Sequence, residues 1–411
     1  MIKRSRYLKK ILPFIDTELI KVLTGVRRSG KSVMMRLIRE ELIENRSVQP
    51  EQLIEMNFEE LRYERFTDYH ELNGFLENKL RKLKGKKAYL FLDEIQEVDS
   101  FEKVVNSLRA TYRDMVDIYL TGSNAKLLSG ELSTLLGGRY VQFHIYPFVF
   151  SEYIEAKKTL GLEKPSRAFF QDFIIDGGTP FLAMQNFSPD ERDSYLRDLY
   201  NSIVLKDVVQ RESIRDTHLL QQIFTFALGN IGRIFSGRSV VKYLKSENIN
   251  TATNTVNNYI HFGENAYFFV PAQQYDLQGK KLLSDQKKIY VVDHGLRETV
   301  LGRNTTDIEL VLENIVLMEL KSRGYSVMIG RNGDLEVDFI AERNHNNEKE
   351  KIYIQVSYLL ASPETRAREF RSLASISDNY PKIVLSLDEI TRGQEGIQHL
   401  NLIDWLLDYD D

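Results

Sequence analysis

Over the first 150 residues short apolar runs alternate with helix-spaced segments, and the alternation predicts an α/β domain. ELIKVLT at 18–24 is an apolar run, GVRRSGKS at 25–32 interrupts it, and VMMRLIREEL then has the spacing of an amphipathic helix. AYLFLDEIQEV at 88–98 opens as an unbroken apolar strand, the pattern of a parallel strand buried on both faces, and DIYLTGSN at 117–124 repeats it in shorter form. From 151 to 225 the pattern turns helical and charged, broken at DGGTPF, 176–181, where two glycines and a proline mark a turn. Asp207 and Arg211 lie four apart in that block and are placed to pair on one helix face.

Residues 217–262 carry three short helical segments, with Ser236 and either Thr251 or Thr253 as caps. AYFFVPAQQYDLQGKKLLSDQKKIYVVD then supplies two strands around a Gly-Lys-Lys turn, the outline of a helix-turn-helix unit with a wing. The remainder reads helix, strand, strand, strand, helix, strand. The expected organisation is therefore 1–150, an α/β domain; 151–216, a helical lid; 217–284, a winged-helix-like domain; and 285–411, a second α/β domain.

Composition narrows the chemistry. The chain has 411 residues, 42% hydrophobic and 28% charged, which fits two to four globular domains and excludes disorder and fibre. Fifty-five basic against 59 acidic residues give a net charge of −4, so any contact with nucleic acid must come from a local patch. Without cysteine there is no disulfide framework, thiolate zinc site or cysteine nucleophile, and the seven histidines show no close pairing. No run of about 18 apolar residues spans a membrane, and the amino terminus lacks a signal-peptide core, so the expected setting is cytoplasmic.

The loop at 25–32 matches G-x-x-x-x-G-K-[ST] at Gly25, Gly30, Lys31 and Ser32, with a strand before it and a helix after it. Glycines let the backbone curl so that successive N–H groups and the helix terminus face an anion. Val26, Arg27, Arg28 and Ser29 complete the cradle, Lys31 reaches the β and γ phosphates, and Ser32 offers its hydroxyl to Mg²⁺. The strand at 88–93 ends in Asp93 and Glu94, an acid for Mg²⁺ and a candidate to orient or deprotonate the attacking water. Ser123 or Asn124, at the end of the next strand, would lie near the γ phosphate.

GVRRSGKS, FLDEIQEV, LTGSN, LLGGRY and YPFVFSEY, in this order, resemble the AAA+ ATPases of bacteria and archaea that pair this module with a carboxy-terminal domain of unknown function. The resemblance implies an ATPase core with Asp93 on Mg²⁺, Glu94 activating water, Asn124 or Ser123 as polar sensor, and Arg139 as a candidate arginine finger or phosphate sensor. It also implies ATP as the nucleotide; no guanine-selective N-K-x-D pattern occurs.

In the last block Glu313 and Asp338 occupy the first two positions of a metal-dependent phosphodiesterase site, and the family's carboxy-terminal domain resembles the PD-(D/E)xK nuclease fold. Where acid-x-lysine should follow, the chain has Gln355, Val356 and Ser357, which argues against cleavage. The segment TATNTVNNYI, in the place of a recognition helix, carries no arginine or lysine, so packing or oligomerisation competes with DNA contact. The basic run KLRKLKGKK at 79–87 reads as a solvated connector. The expected function is Mg²⁺-dependent ATP hydrolysis coupled to a nucleic-acid or protein partner, with a homo-oligomer open. A slow nucleotide-gated switch and an ATP-regulated nuclease are the alternatives.

Overall fold

Three unbroken apolar runs become the centre of a parallel sheet. They are β1 (Ile20–Thr24), β3 (Ala88–Asp93) and β4 (Val116–Gly122), buried at every position, flanked by β2 (Leu53–Asn57) and β5 (Tyr140–His144) in the order β2-β3-β4-β1-β5. Every pairing is parallel. Alternate residues feed two cores. Val22, Leu90, Leu92, Ile118 and Leu120 pack on the side of the helices Tyr69–Lys82 and Phe101–Tyr112, whereas Leu23, Tyr89, Phe91 and Tyr119 face Lys31–Arg46. The side chain of Asp68 caps Tyr69–Lys82, accepting from the N–H groups of His70 at 2.9 Å and Glu71 at 3.1 Å.

This computed structural model describes residues 2–123, 136–302, 307–345 and 348–408. It forms two units: Met1–Tyr146 with Asn265–Tyr267, and Pro147–Glu264 with Phe268–Asp411. Among the described residues no helix is long and apolar enough to cross a membrane.

The second unit begins with helices Phe150–Thr159, Ser166–Asp176, Pro180–Ala183 and Pro189–Ser202, the last running into a π-helical stretch, Ile203–Gln210. Asp207 and Arg211 pair at 3.3 Å, as their spacing suggests. The turn at 176–181 is held from far along the chain. Asp293 accepts the Gly178 N–H at 3.1 Å and the Thr179 hydroxyl at 2.7 Å.

Helices Thr217–Gly229, Gly237–Ser246 and Thr253–Asn265 follow, then the hairpin of β6 (Phe269–Asp276) and β7 (Lys281–Val291). This hairpin is not a free wing. β6 pairs in parallel with β8 (Ser326–Asn332), joining β9 (Leu335–His345), β10 (Glu348–Val356), β11 (Lys382–Ser386) and β12 (Gln398–Asn401) in one mixed sheet, ordered β12-β11-β10-β9-β8-β6-β7. The boundary expected at 284/285 thus falls inside β7, because an edge strand of the first motif gains its missing partners from the second.

Candidate nucleotide site

A parallel sheet delivers the carboxyl ends of all its strands to one edge. At that edge β1 runs into Gly25, β3 into Asp93 and Glu94, and β4 into Gly122 and Ser123. Gly25 has φ 143°, and a Cβ there would meet the Ile145 carbonyl oxygen at 2.2 Å. Gly30, at φ 100°, opens the helix Lys31–Arg46, whose amino end points into the loop. Both positions require glycine.

Lys31 is buried and turned back onto the loop, donating to the carbonyls of Gly25 at 3.1 Å and Val26 at 3.2 Å. Its Nζ also lies 3.7 Å from Glu94 Oε1. Ser29 N–H closes on the Val26 carbonyl at 3.2 Å, and Arg27 extends outward to Glu59 at 2.8 Å. Arg28 adopts φ 66°, a left-handed kink that lets the loop reverse.

Asp93 receives hydroxyl hydrogen bonds from Thr121 and from Ser32. Burial pushes its carboxyl above the usual carboxylate range, opposed by those two hydroxyls. The hydroxyl of Ser32 and the carboxylate of Asp93 thus meet, and hard oxygen donors of this kind suit Mg²⁺, which keeps several waters and needs few protein ligands. No group of three or more histidines and acids able to hold a metal occurs among the described residues.

Glu94 adopts φ 53°, which turns its side chain back toward Lys31. Its N–H donates to Thr121 at 2.8 Å, and its Oε2 accepts from Ser123 at 3.3 Å and from Gln96. Beside Ser32 and Asp93 a cavity of about 210 Å³ opens, lined also by Arg36, Arg39, Asn57 and Arg62.

Lys31, Ser32, Asp93, Glu94 and Ser123 therefore converge, as their motifs suggest. Asn124 lies outside the described residues. Arg139 does not join them. It is exposed and directly precedes β5, whose first residue, Tyr140, is level with Ile20 at the start of β1. It sits at the sheet edge opposite the P-loop, about 13 Å of strand away at 3.3 Å per residue. Two residues were missed: Thr121, inside an apolar strand, and Arg4, one of several bases near the amino terminus. Arg4 is buried, donating to the Ser29 carbonyl at 3.0 Å and the Tyr146 carbonyl at 2.8 Å.

The second unit brings Glu313 and Asp338 into one largely buried cluster with Lys288 and Tyr290, with the exposed Glu336 at its rim. Lys288 Nζ is 2.6 Å from Glu336 and 3.6 Å from Glu313, whose Oε2 also accepts from Tyr290 at 3.2 Å. Asp338 Oδ2 accepts the Val356 N–H at 2.8 Å. Burial and then Glu313 push its carboxyl well up. Gln355 lies beside Asp338, its Oε1 accepting the Asp338 N–H at 3.4 Å and the Ser372 hydroxyl at 3.2 Å while its amide donates to Glu369 at 3.0 Å, and the Ser357 hydroxyl is buried without a partner among the described residues. A lysine does approach Glu313, but it is Lys288 on β7, a strand that the sequence motif does not include.

Residues 17–154 match the model of an AAA domain, and residues 167–307 match a domain of unknown function. An uncharacterized protein of Haemophilus influenzae is 37% identical over 410 residues, covering 99% of each chain. An uncharacterized protein of Methanocaldococcus jannaschii is 28% identical over 397 residues, covering 94% of this chain and 85% of that protein. Among solved structures, the Walker-type ATPase of Pyrococcus abyssi superposes with a TM-score of 0.46 at 16% identity, over 72% of this chain and 94% of that one.

Proposed function

Because the chain belongs to the same family as the Haemophilus influenzae protein and carries an AAA domain over residues 17–154, we propose that it binds ATP with Mg²⁺ and hydrolyses it to ADP and phosphate. The observation that supports this most directly is the meeting of Lys31, Ser32, Asp93 and Glu94 at one sheet edge. In this reading the loop N–H groups from Val26 to Ser32 hold the phosphate oxygens, and Lys31 exchanges its two loop carbonyls for the β and γ phosphates. Ser32 and Asp93 would hold Mg²⁺, which when bound would supply positive charge against the phosphates. Glu94 orients the attacking water and accepts its proton, while Ser123 steers Glu94 by hydrogen bond.

Arg139 faces away from its own chain's site, so a finger role requires a second copy of the chain that lends it across an interface. The partner is a nucleic acid or a protein. Arg238, Lys242 and Lys245 are exposed on one short helix, Gly237–Ser246, and Lys280 and Lys281 are exposed at the hairpin turn, local bases on a chain of negative net charge.

One observation favours slow turnover, the nucleotide-gated reading. Glu94 is engaged by Ser123 and Gln96 and approached by Lys31, so the base must be released before it can act. Steady-state ATP hydrolysis by the parent, Lys31→Ala and Glu94→Gln, with and without duplex DNA at about 50 and about 200 mM salt, tests both readings. Lys31→Ala hydrolysing as fast as the parent would sink the ATPase reading. Equal partner affinity with ATP and ADP would sink the switch.

A further inference from the structure

We propose that Arg4 is a positioning residue for the nucleotide, fixing the Ser29–Gly30 peptide so that the loop presents its N–H groups to phosphate. This rests on the ATP-binding reading of the same loop. A trans peptide is planar, with its carbonyl and its following N–H pointing in opposite directions. Holding the Ser29 carbonyl on one side therefore aims the Gly30 N–H toward the other. The Arg4 guanidinium does the holding, with Nη1 donating to the Ser29 oxygen at 3.0 Å.

The rest of the environment fixes the guanidinium in turn. Its second arm donates to the Tyr146 carbonyl at 2.8 Å, and its carbon sits 4.4 Å from the ring centre of Tyr7. The Tyr7 hydroxyl accepts the Tyr146 N–H at 3.2 Å, so Tyr146 is gripped on both sides of its backbone. Arg4 is only 4% exposed and adopts φ 46°, a left-handed conformation that a residue with a side chain disfavours. Ser29 needs such a hold. Its N–H turns back onto Val26 and its hydroxyl is buried with no hydrogen-bond partner among the described residues, which leaves the carbonyl as the atom through which the amino terminus orients it. A forked donor suits the task, because one planar group reaches two carbonyls and a lysine ammonium cannot reproduce that fork.

The test is equilibrium titration with ADP and steady-state ATP hydrolysis on the full chain, for the parent, Arg4→Ala, Arg4→Lys and Lys31→Ala, with thermal melting as a folding control. A loop N–H serves bound nucleotide and transition state alike, so Arg4→Ala is expected to weaken ADP binding and raise KM about tenfold while leaving kcat within about twofold. Arg4→Lys should fall between Arg4→Ala and the parent, and it carries the test if Arg4→Ala does not fold. A parent that binds no ADP overturns both the ATP reading and this inference. ADP binding that is lost in Lys31→Ala but unchanged in the folded Arg4 variants overturns the inference alone. So does a fall in kcat at unchanged KM, which is the mark of a smaller folded fraction.

Discussion

Thr121 donates its hydroxyl proton to Asp93, and the same oxygen accepts the Glu94 N–H at 2.8 Å. One side chain on β4 thereby sets the orientation of both acids at the end of β3. Thr121→Val keeps the shape and removes the hydroxyl, leaving a buried N–H without an acceptor. The expected loss is about 1–3 kcal/mol of stability. A weaker hold on Mg²⁺ should accompany it, since Asp93 also loses a donor. Thr121→Ser should retain most of both. Melting curves and the Mg²⁺ dependence of ATP hydrolysis measure this, and a Thr121→Val protein with unchanged Mg²⁺ half-saturation would show that Asp93 orients itself.

What was legible and what was not divides along physical lines. The P-loop, β3 and β4 could be read because each is a contiguous pattern whose chemistry lies at its own end. Thr121 and Arg4 could not, since their partners lie 28 and 25 residues away and only the folded chain brings them together. Arg139 follows a glycine pair typical of a functional loop, but β5 starts immediately after it, and parallel pairing with β1 fixes it at the far edge. Lys288 escaped notice for the same reason: it approaches Glu313 only because the hairpin joins the second sheet.

The buried pair of Lys21 and Asp117 also breaks the apolar pattern of β1 and β4. Asp117 accepts the Asp16 N–H at 2.9 Å and the Tyr119 hydroxyl at 3.0 Å, besides its ion pair with Lys21. Lys21→Met leaves an uncompensated buried carboxylate and should cost about 3–5 kcal/mol. Adding Asp117→Leu should recover only part of this, because the Asp16 N–H and the Tyr119 hydroxyl then lose their acceptor. Denaturant titration of the parent and the two variants checks the ordering. A double variant as stable as the parent would show that the pair is dispensable.

Two glycines of the second unit are expected to respond oppositely to a methyl group. At Gly178 a Cβ would lie 2.1 Å from the Phe148 carbonyl oxygen, in a turn already held by Asp293. Gly178→Ala should destabilise by about 1–3 kcal/mol or more, the cost of forcing backbone apart. At Gly229, the last residue of Thr217–Gly229, a Cβ would meet nothing within 4 Å. Gly229→Ala should be neutral or stabilising by up to about 1 kcal/mol. Melting temperatures of the two variants decide it, and a tolerated Gly178→Ala would mean that the turn and the Phe148 backbone can separate.

The cluster around Lys288 gives a prediction in pH. Burial, then repulsion from Glu313, raises the Asp338 carboxyl well above its ordinary value, so the folded state holds this proton more tightly than the unfolded chain does. The sign follows from linkage. Below the unfolded value near 3.8 the carboxyl is protonated in both states and makes no difference, whereas rising pH ionises the unfolded chain first and folding bears an increasing cost. Asp338→Asn keeps an acceptor for the Val356 N–H and removes the ionisation. It should therefore match or exceed the parent in stability at pH about 8, by ~1.4 kcal/mol for each tenfold difference in proton affinity between the states, and lose that advantage toward pH about 4. Lys288→Met should do the reverse. It strips the buried Glu313 and Asp338 of their nearby cation, costs about 3–5 kcal/mol where they are ionised, and recovers as acid protonates them. Denaturation midpoints measured across that range separate the two. If Asp338→Asn were less stable than the parent at pH about 8, the carboxylate would be ionised and held there by a favourable partner.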